Sequence, residues 1–106
     1  MAKSDPVFDL KIDTAASGDT TIVGATAGQK IKIWSLLLWW NGTTSVILKD
    51  GATRNLTGAL AGTAQIPLIL EEKEHPWFTL TTGNAFIVNL SDAIQVSGSV
   101  RYTKAA

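Results

Sequence analysis

Residues 77–102 read WFTLTTGNAFIVNLSDAIQVSGSVRY and hold the clearest structural pattern in the chain. They predict three short β-strands, at residues 77–80, 85–90 and 94–103, separated by two tight turns. The stretch contains no His, Cys or Lys, which are side chains that often act as general bases or nucleophiles. The pattern therefore favours a β scaffold that binds another molecule over an enzyme.

The N-terminal segment also has the pattern of a strand. Phe8, Leu10 and Ile12 alternate with charged residues, which is typical of a half-buried strand. A chain of 106 residues suits one domain. We therefore predict an N-terminal arm that includes the first strand over residues 1–13, and a single jelly-roll-like β domain over residues 14–106.

The middle of the chain adds further predicted strands and turns. Residues 30–40 form the longest of these strands, and its second half is apolar on both faces, so we expect both faces to be covered. Asn41-Gly42 and Asp50-Gly51 each predict a hairpin turn, because both residue types in such pairs accept positive φ. No segment shows convincing helical periodicity, and the strands recur about every 8–12 residues. The predicted fold class is all-β, a jelly-roll-like β-sandwich of about eight antiparallel strands with a short N-terminal arm.

Composition argues against several classes of function. The chain has nine basic and nine acidic residues and a formal net charge of zero, whereas a nucleic-acid-binding domain usually carries a basic stripe. It has no cysteine for a disulfide or a thiolate metal site. Its first residues have no apolar run behind a basic region, so we expect no signal peptide, and no apolar run approaches the roughly 20 residues of a membrane-spanning helix. We expect a cytoplasmically made protein that binds neither nucleic acid nor membrane, and whose low net charge favours association.

The sequence shows no pattern typical of catalysis or metal binding. His75 is the only histidine and lies in the charged segment 71–76. A carboxylate-rich metal site is one interpretation of this segment, and a solvated or partner-facing loop is the favoured one. The motifs of nucleophilic, phosphate-binding and metalloprotease sites do not occur. We therefore predict no enzymatic activity, no cofactor and no metal.

Four tryptophans in so small a domain indicate an interaction surface. Strict alternation along residues 30–40 places a Trp/Leu stripe on one face of the strand and Trp39 on the other. We interpret the stripe as an oligomer or partner interface, with a carbohydrate platform and plain core packing as the alternatives. The candidate interface residues are Trp34, Leu36, Leu38, Trp40, Phe8, Leu10, Ile12, Trp77, Glu72 and His75.

Several short motifs from residue 15 onward carry a family resemblance. They are AASGDTTIV (15–23), AGQKIKI (27–33), VILKDG (46–51), LTG (56–58), WF (77–78), GNA (83–85), NLS (89–91) and IQVSG (94–98). The chain resembles the small phage-encoded jelly-roll virion structural proteins, and related jelly-roll proteins serve as capsid decoration (cement) proteins. It departs from that family at residues 38–40, which are large and apolar, and at residues 71–75, which are charged. Both segments suit a customised partner surface.

The resemblance implies a non-enzymatic capsid decoration protein that stabilises a tailed-phage head by binding the major capsid protein as a homotrimer. Such a protein is assembled in the host cytoplasm and lies on the outer surface of the capsid in the virion. Its N-terminal arm would reach a neighbouring capsid subunit and add a strand. The alternative is a phage tail or head-fibre module that binds host-surface carbohydrate. An interaction domain from outside any phage also fits the residues.

Overall fold

The computed structural model describes residues 6–106, so residues 1–5 of the predicted arm lie outside the described residues. The described chain forms ten β-strands: β1 (Val7–Thr14), β2 (Gly18–Val23), β3 (Lys30–Trp40), β4 (Thr44–Asp50), β5 (Arg54–Asn55), β6 (Leu60–Gly62), β7 (Ile66–Leu70), β8 (Phe78–Thr79), β9 (Phe86–Leu90) and β10 (Val96–Ala105). Residues 6–106 include no helix that is long and apolar enough to cross a membrane. The predicted all-β class is confirmed.

The strands form two antiparallel sheets. The first sheet has the order β1-β10-β3-β7, with β8 also paired to β3, and the second has the order β2-β9-β4-β5, with β6 also paired to β4. The first strand thus pairs with the last and the second with the last but one, as in a long hairpin rolled over on itself. This is the connectivity of a jelly-roll β-sandwich, in which the short pairs β5/β6 and β7/β8 each occupy one strand position.

The first strand is an integral part of this sandwich. All eight residues of β1 pair with β10, and Ile12 is only 1% exposed within the hydrophobic core. Leu10 packs half-buried against the same core. Residues 7–13 therefore belong to the folded domain, and an arm that reaches a neighbour would have to come from the residues before them.

A β-bulge divides the long strand β3. Arg101 and Tyr102 of β10 pair with Ser35 and Ile33, which leaves Trp34 as the extra residue. The bulge shifts the alternation by one residue, so that Leu36 and the inward residues after it share the core face with Ile33. The prediction that strict alternation continues through residues 30–40 is therefore wrong at this point.

The segment Asn41-Gly42 does not form the predicted hairpin. It joins β3 in the first sheet to β4 in the second, and neither residue has positive φ. Gly42 is required by close packing instead, because a Cβ atom there would lie 2.9 Å from Cγ2 of Ile94. The second predicted hairpin is confirmed, since Gly51 has a φ of 69° and β4 pairs with β5 across it.

Candidate interaction surface

An apolar strip lies on the outer face of the first sheet. Leu37 and Trp39 of β3 pair directly with Ile69 and Pro67 of β7, so these four side chains share one face and define the strip. Leu37 and Trp39 are each 40% exposed and Ile69 is 59% exposed. Because β7 is the edge strand of the sheet, Pro67 is tolerated there without interrupting the sheet. The strip is therefore a built feature of two paired strands.

The surroundings of the strip carry little charge. Ser97 and Ser99 of β10 pair with Trp39 and Leu37 and place small hydroxyl groups beside the strip. Charged side chains on this face include Arg101, two residues beyond Ser99 on β10, and Lys11 of β1, which pairs with Ser99 in the register. The centre of the outer face can therefore be covered by a partner without removing a charged group from water.

Beyond the strip, an ion-pair chain crosses the same face. Arg101 of β10 binds Asp9 of β1 through two hydrogen bonds, Nε to Oδ1 at 2.8 Å and Nη2 to Oδ2 at 3.2 Å. Its Nη1 donates to Oε1 of Glu72 at 3.1 Å. The hydrogen bond from Arg101 holds the pKa of the Asp9 carboxyl below its usual value. Glu72, a predicted interface residue, thus anchors the loop after β7 to its own sheet.

The other predicted residues of this loop are placed differently. Trp77 is half-buried, and its Nε1 donates to the carbonyl oxygen of Glu71 at 2.7 Å. The Lys73 ammonium lies 3.8 Å from the centroid of the Trp77 ring, which is cation–π geometry. His75 is exposed. Within residues 6–106, no group of three or more His, Cys, Asp or Glu side chains could hold a metal ion.

The four residues of the predicted Trp/Leu stripe are buried, and three of them lie inside the sandwich. Leu36, Leu38 and Trp40 belong to the hydrophobic core, and Trp34 is buried with its Nε1 donating to Oγ1 of Thr103 at 2.9 Å. These four residues offer almost no surface to a partner. The prediction of an exposed stripe is therefore wrong. The bulge turns Leu36, Leu38 and Trp40 towards the second sheet, whereas Trp34 is buried beside Thr103 and is not part of the core cluster.

Phe8, a predicted interface residue, lies at the surface. It is 46% exposed, and its ring stacks on that of Tyr102 with a centroid distance of 5.4 Å. Val7, which precedes it, is 42% exposed. Phe8 and Tyr102 lie on the face of the sheet that carries Leu10 and Val100, whereas Val7 lies on the opposite, outer face of β1. The sequence analysis did not single out Val7 or Tyr102.

Sequence reasoning also missed the apolar strip itself. Strict alternation places Trp39 on the face opposite the predicted interface, and Leu37, Pro67 and Ile69 are not among the predicted interface residues. The signal that was available is the run of apolar residues in IPLIL (66–70), which contains a proline and so cannot be a central strand. An edge strand that is apolar on both faces must expose one of them.

A second feature that the sequence did not reveal is the buried carboxylate of Asp50. Its oxygens accept hydrogen bonds from N and Oγ1 of Thr81, with a shortest distance of 2.8 Å, and from Nδ2 of Asn84 at 3.0 Å. Arg54 adds an ion pair at 3.3 Å. Burial opposes ionisation of Asp50, but these contacts together outweigh it and lower its pKa. The carboxylate ties the end of β4 to the loop before β9.

Elsewhere on the described surface, little supports a catalytic site. A shallow open groove of about 380 Å³ is lined by Thr43, Ala61, Gly62, Thr63 and Ile66. These side chains include no titratable group and no carboxylate that could activate a hydroxyl. Every buried side-chain nitrogen and oxygen atom of the described residues has a hydrogen-bond partner. The groove is therefore suited to contact and not to acid–base chemistry.

Comparison of the chain with protein-family models and with curated protein sequences finds no match. The features of this chain that bear on its function are the sandwich, its exposed surfaces and the resemblance of the sequence motifs. Among these, the apolar strip most directly suggests binding to another molecule, because exposed and contiguous apolar surface commonly marks an interaction site.

Proposed function

We propose that this protein is a non-enzymatic structural protein of a phage virion, a capsid decoration protein that binds the major capsid protein of a tailed-phage head as a trimer. The observation that carries the proposal is the apolar strip, an exposed and uncharged surface on an otherwise well-packed sandwich. The jelly-roll connectivity and the motif resemblance support the assignment to virion proteins. Its place would be the outer surface of the capsid, after assembly in the host cytoplasm.

The chemistry of the strip suits a role in assembly. Tryptophan is enriched among the residues that dominate binding energy at protein interfaces, and Trp39 sits between Ser97 and Pro67 in the sheet register. Burial of apolar surface contributes about 25 cal/mol per Å². Because the strip consists of only four side chains, its burial gives a modest binding free energy. On a capsid lattice, modest contacts are repeated many times, and several linked contacts bind far more tightly than one.

The proposal is tested by measuring solution mass and head binding. Light scattering on the purified chain should give three times the mass of 11.3 kDa. Mixing the chain with undecorated phage heads and sedimenting them should carry the protein into the pellet. Heads already saturated with their own decoration protein are the matched control and should bind none. A monomer that stays in the supernatant with undecorated heads contradicts the proposal.

One observation favours a second candidate, a module that binds host-surface carbohydrate. The ring of Trp39 is partly exposed beside serine hydroxyls, an arrangement on which a sugar can stack. The other three tryptophans offer little more, since Trp34 and Trp40 are buried and Trp77 lies beneath Lys73. Titration with host polysaccharides should therefore leave tryptophan fluorescence unchanged. A saturable change in the wild type that is lost in Trp39→Ser would establish the carbohydrate function instead.

A further inference from the structure

Three of the four sheet edges within residues 6–106 carry a feature that opposes the pairing of a further strand. At one edge of the first sheet, β7 contains Pro67, which has no N–H to donate, and β8 has only two residues. In the second sheet, the register of the edge strand β2 shifts between Thr21 and Val23, and the opposite edge consists of the short strands β5 and β6. Natural proteins use such features to prevent association between sheet edges.

The fourth edge, strand β1, has none of these features. Its eight residues pair with β10 in one continuous register, and residues 7–14 contain no proline. The backbone groups that point away from β10 have no neighbouring strand in the same sheet within the described chain. Phe8, on the inner face of this edge, is 46% exposed. Strand β1 therefore offers both free main-chain groups and apolar surface to another strand.

Charged side chains also protect an edge, unless the incoming strand places opposite charges against them. On the outer face of β1, Asp9, Lys11 and Asp13 occupy successive alternate positions. Asp9 is ion-paired with Arg101. Lys11 balances the charge of Asp13, whose carboxylate accepts a hydrogen bond from Gln95. These charges sum to zero, so a second copy of the same edge can approach without net repulsion.

The side chains of β1 decide the register in which two copies can pair. An antiparallel pair with a two-fold axis perpendicular to the sheet keeps inner faces together only when the axis passes at a residue position, and we consider the axes that pair more than half of β1. Axes at Asp9 and at Lys11 place each of these charges opposite its own copy, which is unfavourable. Axes at Leu10 and at Ile12 instead place Lys11 opposite an aspartate. Only the axis at Leu10 also covers the exposed Phe8, which then lies opposite Ile12.

We infer that β1 pairs in the antiparallel direction with β1 of a second copy of this chain, about a two-fold axis at Leu10, so that the first sheets of the two copies form one continuous sheet. In this register, Asp9 of each copy faces Lys11 of the other on the outer surface. On the inner face, Leu10 meets its own copy between the two Phe8 side chains. Main-chain hydrogen bonds supply the affinity of such strand pairing, and the cross-strand side chains fix the register.

This contact goes beyond the proposed function and does not depend on it. The β1 edge lies at the opposite side of the first sheet from β7, so the pairing leaves the apolar strip free on each copy. A two-fold contact doubles the mass of the unit that carries it, whether that unit is a single chain or a trimer. On a capsid it would join neighbouring trimers, because subunits held side by side have a high effective concentration that strengthens a weak contact.

The mass of the purified chain in the absence of phage heads tests the contact. Analytical ultracentrifugation at about 1 mM chain, where contacts of low affinity are populated, should give two chains if the unit is a single chain and six if it is a trimer. Hydrogen exchange should show new protection at alternate amides of residues 7–13 and none in β2. A mass of one or three chains at this concentration overturns the inference, and so does association without new protection in β1. The mass at about 10 µM, one chain or three, tests the proposed trimer separately.

Charge substitutions on β1 test the register. Lys11→Glu places a carboxylate opposite Asp9 of the second copy, and Asp9→Lys places an ammonium opposite Lys11. Each variant should self-associate about tenfold more weakly, because two cross-strand charge pairs become repulsive. Thr21→Glu, at an exposed position of the edge strand β2, is the matched control and should associate like the wild type. The fold should persist in all three variants, because the ion pair between Asp9 and Arg101 is exposed to solvent, and circular dichroism verifies this.

A 1:1 mixture of the Lys11→Glu and Asp9→Lys chains distinguishes the inferred register from the others. Across an axis at Leu10, the substituted position of each chain faces the substituted position of the other, so that a carboxylate again meets an ammonium in both charge pairs. The mixture should therefore associate at about the wild-type strength. An axis at Ile12 would instead place the new glutamate opposite Asp13. A mixture that associates as weakly as the Lys11→Glu chain alone overturns the inference.

Discussion

Replacement of Asp50 by asparagine should weaken the protein more than any other single change of a carboxylate. The wild-type carboxylate is completely buried and accepts hydrogen bonds from Thr81 and Asn84. The asparagine side chain would keep one acceptor oxygen and turn an amide donor towards groups that are themselves donors. At least one of the buried N–H or O–H groups at the end of the sandwich would then be unpaired.

The cost follows from the number of lost contacts. A hydrogen bond to a charged group contributes about 1.5–3 kcal/mol, and a buried donor without a partner costs about 1–3 kcal/mol. The Arg54 ion pair adds little, because the side chain of Arg54 is 66% exposed and its attraction is screened by water. Asp50→Asn should therefore lower the free energy of unfolding by about 2–4 kcal/mol, which corresponds to a fall in Tm of roughly 10–15 °C.

The pH dependence of stability follows from the lowered pKa of Asp50. Because the folded-state pKa lies below the unfolded value of about 4, the ionised carboxylate contributes its full stability above that value. This contribution is lost as the pH falls through the folded-state pKa. The wild type should therefore lose stability below about pH 4, and Asp50→Asn should show a shallower loss over the same range.

Urea unfolding followed by tryptophan fluorescence measures both effects. Asp92→Asn is the matched control, since Asp92 is exposed and its carboxylate accepts one hydrogen bond from the neighbouring Ser91, and it should change the unfolding free energy by less than about 0.5 kcal/mol. If Asp50→Asn behaves like this control, or if its acid sensitivity equals that of the wild type, the account of the buried carboxylate is refuted.

Three further predictions concern the fold. Trp40→Ala should cost about 3–5 kcal/mol in urea unfolding, because the buried ring packs on Gly62 and donates to the Thr44 carbonyl oxygen; a loss below about 1 kcal/mol would place the ring outside the core. Gly98→Ala should lower Tm strongly, since its Cβ atom would overlap the carbonyl oxygen of Leu37, and an unchanged Tm would contradict this close approach. Deletion of residues 1–13 should abolish cooperative unfolding, because it removes β1 from the first sheet; a truncated chain that still unfolds cooperatively would show that β1 is dispensable.

The sequence determined the class of fold because the evidence for it is local. Strands alternate with turn residues at short spacing, and the hairpin at Asp50-Gly51 follows from the local demand for positive φ. The absence of acid–base motifs was equally visible in the residue types. These properties are decided within a few residues, so that no tertiary information is needed to recognise them.

The location of the exposed apolar strip was decided by tertiary structure alone. A bulge of one residue at Trp34 shifts the alternation of β3, and a shift of one residue exchanges the inward and outward faces of a strand. Trp39 and Trp40 are neighbours in the sequence and equally apolar. Trp39 is exposed because it faces outward, whereas Trp40 is buried because it faces the second sheet. The buried position of Asp50 likewise depends on donors from residues 81–84, more than 30 positions away along the chain. Long-range packing, which composition does not record, therefore separates the core of this protein from its exposed apolar surface.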